Sequence, residues 1–203
     1  MTDLRLTTQH RRSRADGDRG AALVEAALII PVVVIILFGV IEFGFLFATA
    51  QTANSSARAG ARQAAQQYAL TPGSTSADQV KAAVVADLKN LDGFGTPVEM
   101  WIYQADANGD YVSDPSFGTC NAGNCIRYFG WNGSDFTTVS GSWGPGGGEG
   151  TPDACGATVD SVGVYTVVSH KYIAGIFGRT QSVTENTVMR FEPKPTGCPA
   201  GST

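Results

Sequence analysis

The strongest pattern in the chain is an uninterrupted apolar run near its N-terminus. Residues 26–41 read AALIIPVVVIILFGVI, without a charge or a strongly polar side chain. As a helix this run is about 24 Å long, a little less than the ~30 Å hydrocarbon core of a bilayer, and mostly apolar residues up to position 50 extend it. We therefore predict a single transmembrane helix. A buried core element of a soluble domain is the weaker alternative, because such an element does not need so many consecutive aliphatic residues.

The charges on either side of the apolar run predict its orientation. Five arginines lie within residues 1–20, whereas only Arg58 and Arg62 follow the run closely. The positive-inside rule then places the N-terminus in the cytosol and residues beyond about 50 outside the membrane. All four cysteines lie in the C-terminal part of the chain, where an oxidising compartment would preserve disulfides.

A cleaved signal peptide is the main alternative to a permanent anchor. Ala48-Thr49-Ala50 followed by Gln51 has the A-x-A form that signal peptidases cut. The apolar run is longer than the usual ~7–15 residues, however, and the sequence beyond Ala50 continues as an alanine-rich helix without proline. Cleavage after Ala50 would release a secreted domain.

Beyond the apolar run, the same helix carries a stripe at alternating spacings of four and three residues. Small residues in the middle of this stripe would let another backbone approach closely. The stripe can pack on other helices, on the protein's own C-terminal domain, or on both at different turns. We expect Pro31 to kink the helix and Thr71-Pro72-Gly73 to end it. The stripe consists of Phe43, Phe47, Ala50, Asn54, Ala57, Ala61, Ala64 and Tyr68.

Two carboxylates flank the most apolar part of the helix. Glu42 lies near the predicted outer interface, where water or an arginine of another chain could reach it. Glu25 follows Gly20 by five residues, so a cut after Gly20 would create an α-amino group at Ala21. That amino group of a neighbouring subunit could pair with Glu25 inside the membrane, which removes the cost of an unpaired charge in hydrocarbon.

Four features of residues 19–62 occur together: RGAALVE at 19–25, the apolar run with Pro31, FGVIEFG at 38–44 and ARAGAR at 57–62. As a set they resemble a known family, the TadE-like minor pilins (pseudopilins) of tight-adherence pili. The resemblance is strongest over these residues.

The resemblance implies a processing site and an assembly role. A prepilin peptidase would cut between Gly20 and Ala21, and Glu25 would be the acidic position that pilin assembly uses. With Glu25 we group Pro31 and Glu42 as assembly residues. The implied partners are membrane lipid, other pilins, the pilus assembly machinery and the prepilin peptidase.

The C-terminal part of the sequence predicts a loop-rich head. Ser76 and Gln79 form a capping box for an amphipathic helix over residues 74–90. The predicted fold class is α+β: a long transmembrane helix leads into a small disulfide-containing head of one helix and an antiparallel sheet, as in pilins. Strand composition occurs at residues 97–104, 160–170 and 181–191. The expected domains are a basic leader at 1–20, the helix and its extension at 21–70, and the head at 71–203.

The four cysteines are Cys120, Cys125, Cys155 and Cys198, which allow three pairings. We favour Cys120–Cys125 within one small loop and Cys155–Cys198 at the tail, because such cross-links would stabilise a loop-rich head. Zinc ligation is the competing interpretation, but the spacing lacks paired C-x2-C knuckles.

Other candidate chemistry in the head is sparse. Asp106, Asn108 and Asp110 alternate as weak calcium-ligand candidates, but Tyr111 and Phe117 stand where an EF-hand loop needs Gly and Glu. Asn-Gly at 108–109 is more often a hairpin turn. The sequence contains no G-x-S-x-G, H-E-x-x-H or phosphate-loop motif, so we predict neither an enzyme nor a cofactor.

The charge balance limits the possible partners. The net charge is −4, and residues 21–203 carry nine basic and fifteen acidic side chains, which argues against a nucleic-acid protein. The sequence thus predicts a non-enzymatic, single-pass minor pilin of a bacterial cell membrane. The alternative is a signal-anchored extracytoplasmic binding module, whose acidic loops and the aromatic side chains of Trp131 and Trp143 would form the ligand face.

Overall fold

The computed structural model of the protein describes residues 14–66, 75–91, 93–106, 108–112, 120, 123–143, 159–175 and 178–191. The chain divides into two compact units, Met1–Phe43 and Gly44–Thr203, which are described separately. The helices are α1 (Arg14–Ala65) and α2 (Thr75–Leu88), followed by a 3-10 helix (Lys89–Leu91). The strands are β1 (Gly95–Ala105), β2 (Cys125–Trp131), β3 (Phe136–Ser142), β4 (Ser161–Lys171) and β5 (Thr180–Arg190). The predicted α+β class is confirmed.

The first unit contains the N-terminal part of α1, in which residues 26–41 are apolar on every side. From Leu23 to Phe43 its large apolar side chains are 40–71% exposed, and the helix continues through Pro31. The most apolar window has a mean hydropathy of 2.9 and is 0% buried, whereas a core helix of a soluble domain would be covered. By length and composition, this helix can cross a membrane.

The second unit is built on a five-stranded antiparallel sheet of order β3-β2-β1-β4-β5. The strands β1, β4 and β5 coincide with the three segments whose β-branched and aromatic residues predicted strands. The sequence pattern does not predict β2 and β3, because Gly130 and Gly141 interrupt their strand composition and β3 is largely polar. Central strand β1 pairs with β2 on one side and with β4 on the other.

Two helices cover one face of this sheet. Alanines of the C-terminal part of α1, valines of α2 and alternate residues of the central strands, such as Met100 and Ile102, form one apolar core. A Cβ added at Gly60 would lie 2.4 Å from Val84 of α2 and 3.1 Å from Val164 of β4, so the chain needs glycine there. The helix α2 lies where the sequence predicted it, whereas the predicted end of α1, at residues 71–73, lies outside the described residues.

The opposite face of the sheet carries a second, smaller core. It contains Trp101 and Tyr103 of β1 with Tyr111, beside the disulfide between Cys120 and Cys125. The predicted Cys120–Cys125 pairing is therefore confirmed. The other two cysteines, Cys155 and Cys198, lie outside the described residues.

Candidate functional site

The candidate processing and assembly residues lie on the N-terminal part of α1. Gly20, Ala21 and Glu25 are exposed, and Glu25 follows Gly20 by about 7.5 Å along the helix axis. Glu25 is therefore a carboxylate on a helix whose following turns are apolar on all sides. In hydrocarbon an unpaired carboxylate costs several kcal/mol, so this position calls for a partner or for neutralisation.

The two other assembly candidates differ in exposure. Pro31 is exposed within the continuous helix. Glu42, in contrast, is only 2% exposed, although Ile41 and Phe43 beside it are about half or more exposed.

The predicted packing stripe divides into two parts. Phe43 and Phe47 are 63% and 66% exposed, and Ala50 is half-buried. The alanines that follow are fully buried, and two of them, Ala61 and Ala64, belong to the core beneath the sheet. The stripe therefore packs on the protein's own second unit at its alanine turns. The buried alanines of the stripe are Ala57, Ala61 and Ala64.

Polar contacts that the sequence did not reveal fix the helix on the sheet. Thr49 Oγ1 lies 2.9 Å from Nδ1 of the buried His170 on β4. One turn later, Asn54 Nδ2 donates to Glu185 Oε2 on β5 over 3.1 Å. Threonine and asparagine within an alanine-rich helix were the available signal, but only the fold identifies their partners.

The weak calcium candidate is a hydrogen-bonded turn. Asp106 Oδ1 accepts from the backbone N–H groups of Asn108, over 2.8 Å, and Asp110, over 2.9 Å. These bonds, the Asp110 amide first, lower the pKa of the Asp106 carboxyl, and Gly109 adopts a φ of +90° in the same turn. Within the described ranges, no group of three or more His, Cys, Asp or Glu side chains could hold a metal ion.

The face of the sheet opposite the two helices carries an ion pair that lies between aromatic rings. Arg127 Nε lies 2.5 Å from Glu99 Oε1, which also accepts from the Trp101 indole. The Arg127 guanidinium lies 5.0 Å from the Trp101 ring centre and 5.1 Å from that of Phe129. This group joins β1 to β2. The sequence did not reveal this group, because strand β2 itself was not predicted.

Two phenols on this face have a raised pKa. Burial raises the pKa of Tyr103 to about 12, and the Tyr103 hydroxyl donates to the Gly109 carbonyl over 3.1 Å. Burial also raises the pKa of Tyr165, which pairs with Trp101 across β1 and β4. Such groups act as hydrogen-bond donors, which suits a structural role.

A small cleft of about 210 Å³ opens between the first turns of α1 in the second unit and the segment before β1. Phe45 and Phe94 stack in its wall, with ring centres 4.1 Å apart. Among the described residues, its lining has no charged side chain. The lining residues are Phe45, Ala48, Thr49, Thr52, Asn90, Leu91 and Phe94.

The comparison with known proteins points to the same segment as the geometry. A family model described as TadE-like protein matches residues 20–62, about a fifth of the chain. No curated protein and no solved structure matches the chain. The matched segment includes the exposed apolar helix with Glu25 and the alanine turns beneath the sheet. The resemblance stated from the sequence is therefore confirmed: residues 20–62 are similar to the TadE-like family.

Proposed function

We propose that this protein is a minor pilin, or pseudopilin, that contributes to the assembly of tight-adherence pili. One observation carries the proposal: the TadE-like match at residues 20–62 contains the apolar helix that is long enough to cross a membrane. TadE-like pilins are structural proteins rather than enzymes. The proposed role is therefore to present a helix for assembly and a folded head beyond it.

In this proposal α1 anchors the protein once in the cell membrane. Its apolar residues would face lipid or neighbouring helices, since a helix that is apolar on every side needs such surroundings. The arginines before Gly20 would keep the N-terminus in the cytosol. The head would lie outside, and the Cys120–Cys125 disulfide fits an oxidising compartment.

Assembly in this proposal depends on Glu25. A prepilin peptidase would cut between Gly20 and Ala21, which leaves a free α-amino group at Ala21. That amino group of one subunit would pair with Glu25 of its neighbour, cancelling two charges in the membrane and fixing the axial register. Exposed Phe43 and Phe47 would extend the contact between helices beyond the apolar segment.

Cleavage after Ala50 is the less favourable alternative. It would remove Phe45, which stacks on Phe94, and Thr49, which contacts His170, from the head. A signal-anchored binding module is the other alternative, and it would share the membrane anchor. Only a pilin needs processing at Gly20 and an acidic residue at position 25.

The first test is the N-terminus and intact mass of the full chain recovered from native membranes that contain the prepilin peptidase. A start at Ala21 is the expected result. A start at Gln51 would contradict the proposal in favour of a secreted domain. An intact Met1 would contradict it in favour of an anchored binding module.

The second test is the substitution Glu25→Ala. We expect a loss of incorporation into the pilus assembly complex, because the neighbouring amino group loses its partner. Membrane integration and the fluorescence of the buried Trp143 should not change, since position 25 lies outside the second unit. The matched control is Glu25→Asp, which keeps the charge. Unchanged incorporation of Glu25→Ala would contradict the pairing mechanism.

A further inference from the structure

The tip of the β4–β5 hairpin lies at the end of the head where the chain enters it. Within the second unit, α1 and β4 are joined by three contacts. From one contact to the next, the residue numbers rise along α1 and fall along β4, so β4 runs toward the N-terminal end of the helix. Beyond the last contact, β4 ends at Lys171, whose N–H donates to the carbonyl of Phe94, and the Phe94 ring stacks on Phe45 near the start of the unit. The tip thus reaches the level where the unit begins, directly after the apolar segment in the chain. The contacts are Thr49 with His170, Ala53 with Thr166, and Gly60 with Val164.

The described part of this tip combines an exposed aliphatic side chain with two cations. Ile173 is 55% exposed. Lys171 and Arg179 are exposed on either side of the loop, and the Tyr172 N–H donates to the Arg179 carbonyl over 3.1 Å to close it. An aliphatic tip flanked by Lys and Arg has the composition of a segment that lies in a membrane interface.

The hairpin is fixed to the start of the unit by backbone and ring contacts. The Lys171 N–H donates to the Phe94 carbonyl over 2.8 Å. The Phe94 ring stacks on Phe45, which is the second residue of this unit. The tip is therefore held in place by the fold and does not depend on the side chains of Lys171 and Arg179.

Among the described residues, the opposite end of the head carries three acidic side chains beside Arg190. Asp106 and Asp110 lie in the turn that follows β1, and Asp160 directly precedes β4. At the hairpin tip, in contrast, the exposed cations Lys171 and Arg179 lie on either side of the exposed Ile173. Their sign complements the anionic headgroups of a membrane surface.

We propose that the tip of the β4–β5 hairpin docks on the surface of the membrane that holds the apolar part of α1. Ile173 enters the headgroup and acyl-chain boundary, while Lys171 and Arg179 contact anionic phospholipid headgroups. This inference rests on the membrane anchoring proposed above. The anchor keeps the tip close to lipid at a high effective concentration, so a weak contact is sufficient.

Bilayer contact is favoured over a second copy of the chain as the occupant. Two copies that met through this tip would bring four cations together, and like charges at close range oppose such a contact. Anionic lipid has no such penalty. Docking would hold the head against the membrane, and extraction of the subunit into a pilus would release it.

The test uses the full chain in nanodiscs of phosphatidylcholine and phosphatidylglycerol whose acyl chains carry bromine, which quenches tryptophan at short range. Three single variants add one tryptophan each to the native background. Val33→Trp reports on the anchor, Ile173→Trp reports on the hairpin tip, and Asn108→Trp reports on the far end of the head. All three positions are exposed, so each variant should fold.

We expect bromolipid to quench the added fluorescence of Ile173→Trp and Val33→Trp but not that of Asn108→Trp. If Val33→Trp is quenched while Ile173→Trp responds no more than Asn108→Trp, the docking inference is overturned and the anchor stands. If Val33→Trp is not quenched, the proposed anchoring itself fails. A signal from Ile173→Trp that changes with the number of protein copies per disc, but not with bromine, would identify a second copy and overturn the inference.

The ionic part of the proposal has its own variant. Lys171→Gln combined with Arg179→Gln, in the Ile173→Trp background, leaves the backbone hydrogen bonds of the hairpin in place. We expect this variant to lose quenching in discs with phosphatidylglycerol. The matched control replaces Arg190, an exposed arginine at the opposite end of β5, with Gln. Equal quenching of the double variant and this control would overturn the assignment of the two cations.

Discussion

The two parts of α1 share one helix and have opposite surfaces. In the first unit the side chains are large, aliphatic and exposed on all sides, as around Val33. In the second unit the same helix carries small residues, such as Ala61 and Gly60, that are buried beneath the sheet. Side-chain size therefore follows what surrounds the helix. A sheet and a second helix at close range leave room for little more than a methyl group, whereas lipid, in the anchoring proposed above, would accommodate large flexible groups.

The glycines of this helix illustrate the difference at single residues. A Cβ at Gly44 would meet nothing within 4 Å, whereas a Cβ at Gly60 would clash with Val84. Both residues are helical, and glycine weakens a helix interior by a similar amount at either place. Only at Gly60 does close packing explain why glycine is present although it weakens the helix.

The largest expected effect comes from one substitution placed in each environment. Val33→Asp should weaken membrane integration, because a carboxylate at the centre of a spanning helix costs about 2.5–3.5 kcal/mol. Val84→Asp should unfold the head, since it buries an unpaired charge that costs several kcal/mol of a total of about 5–15. Membrane retention after an alkaline wash and Trp143 fluorescence measure the two effects separately.

The contrast between the two parts of α1 is not supported if membrane integration and folding of the head cannot be disrupted separately. We expect Val33→Asp to keep the emission of buried Trp143 and Val84→Asp to keep membrane retention. A Val33→Asp protein that loses the head fold would mean that the second unit needs the first for its stability.

An intermediate effect is expected from the matched glycine pair. Gly60→Ala should lower the free energy of unfolding of the head by about 3 kcal/mol, because the new methyl group overlaps Val84. Gly44→Ala should leave it unchanged or raise it by up to about 1 kcal/mol. Denaturant titration of both variants in the same detergent measures the difference. Equal stability would mean that the helix does not pack closely on α2.

The smallest effect tests where the helix begins to belong to the head. Thr49→Val keeps the shape of the side chain but removes the hydroxyl group beside buried His170, at a cost of about 1 kcal/mol in unfolding free energy. Thr52→Val is the control, since its hydroxyl group donates only along the helix, to the Ala48 carbonyl, and should change stability by less than about 0.5 kcal/mol. If Thr52→Val were as destabilising as Thr49→Val, the contact with His170 would not explain the effect of Thr49→Val.

The sequence predicted those elements whose patterns are long and local. The apolar helix, α2 and strands β1, β4 and β5 all have a periodicity or composition that can be read without knowing their neighbours. The close Cys120–Cys125 pair was predictable for the same reason. Strands β2 and β3 were missed because their short, glycine-interrupted segments are stabilised by pairing with β1 and with each other.

The candidate site shows the same limit. The apolar helix with Gly20 and Glu25 could be singled out because the TadE-like pattern is contiguous, and the processing and assembly roles of these two residues stay predictions. The partners of Thr49 and Arg127 could not be found, since His170 and Glu99 are distant in the sequence and meet only in the folded sheet. The sequence left two possible partners for the alanine stripe, other helices and the protein's own C-terminal domain. In the structure, the buried turns of the stripe pack within the second unit.

The amino-acid sequence by itself determined that this protein has one apolar helix capable of spanning a membrane, a TadE-like segment around it, and an α+β head. Those properties depend on the hydrophobicity and spacing of neighbouring residues. Only the tertiary structure decided which turns of the helix are buried, which strands pair, and that the β4–β5 hairpin lies at the end where the chain enters the head. These properties depend on contacts between distant residues, because close packing and strand pairing select partners by shape and register rather than by position in the chain.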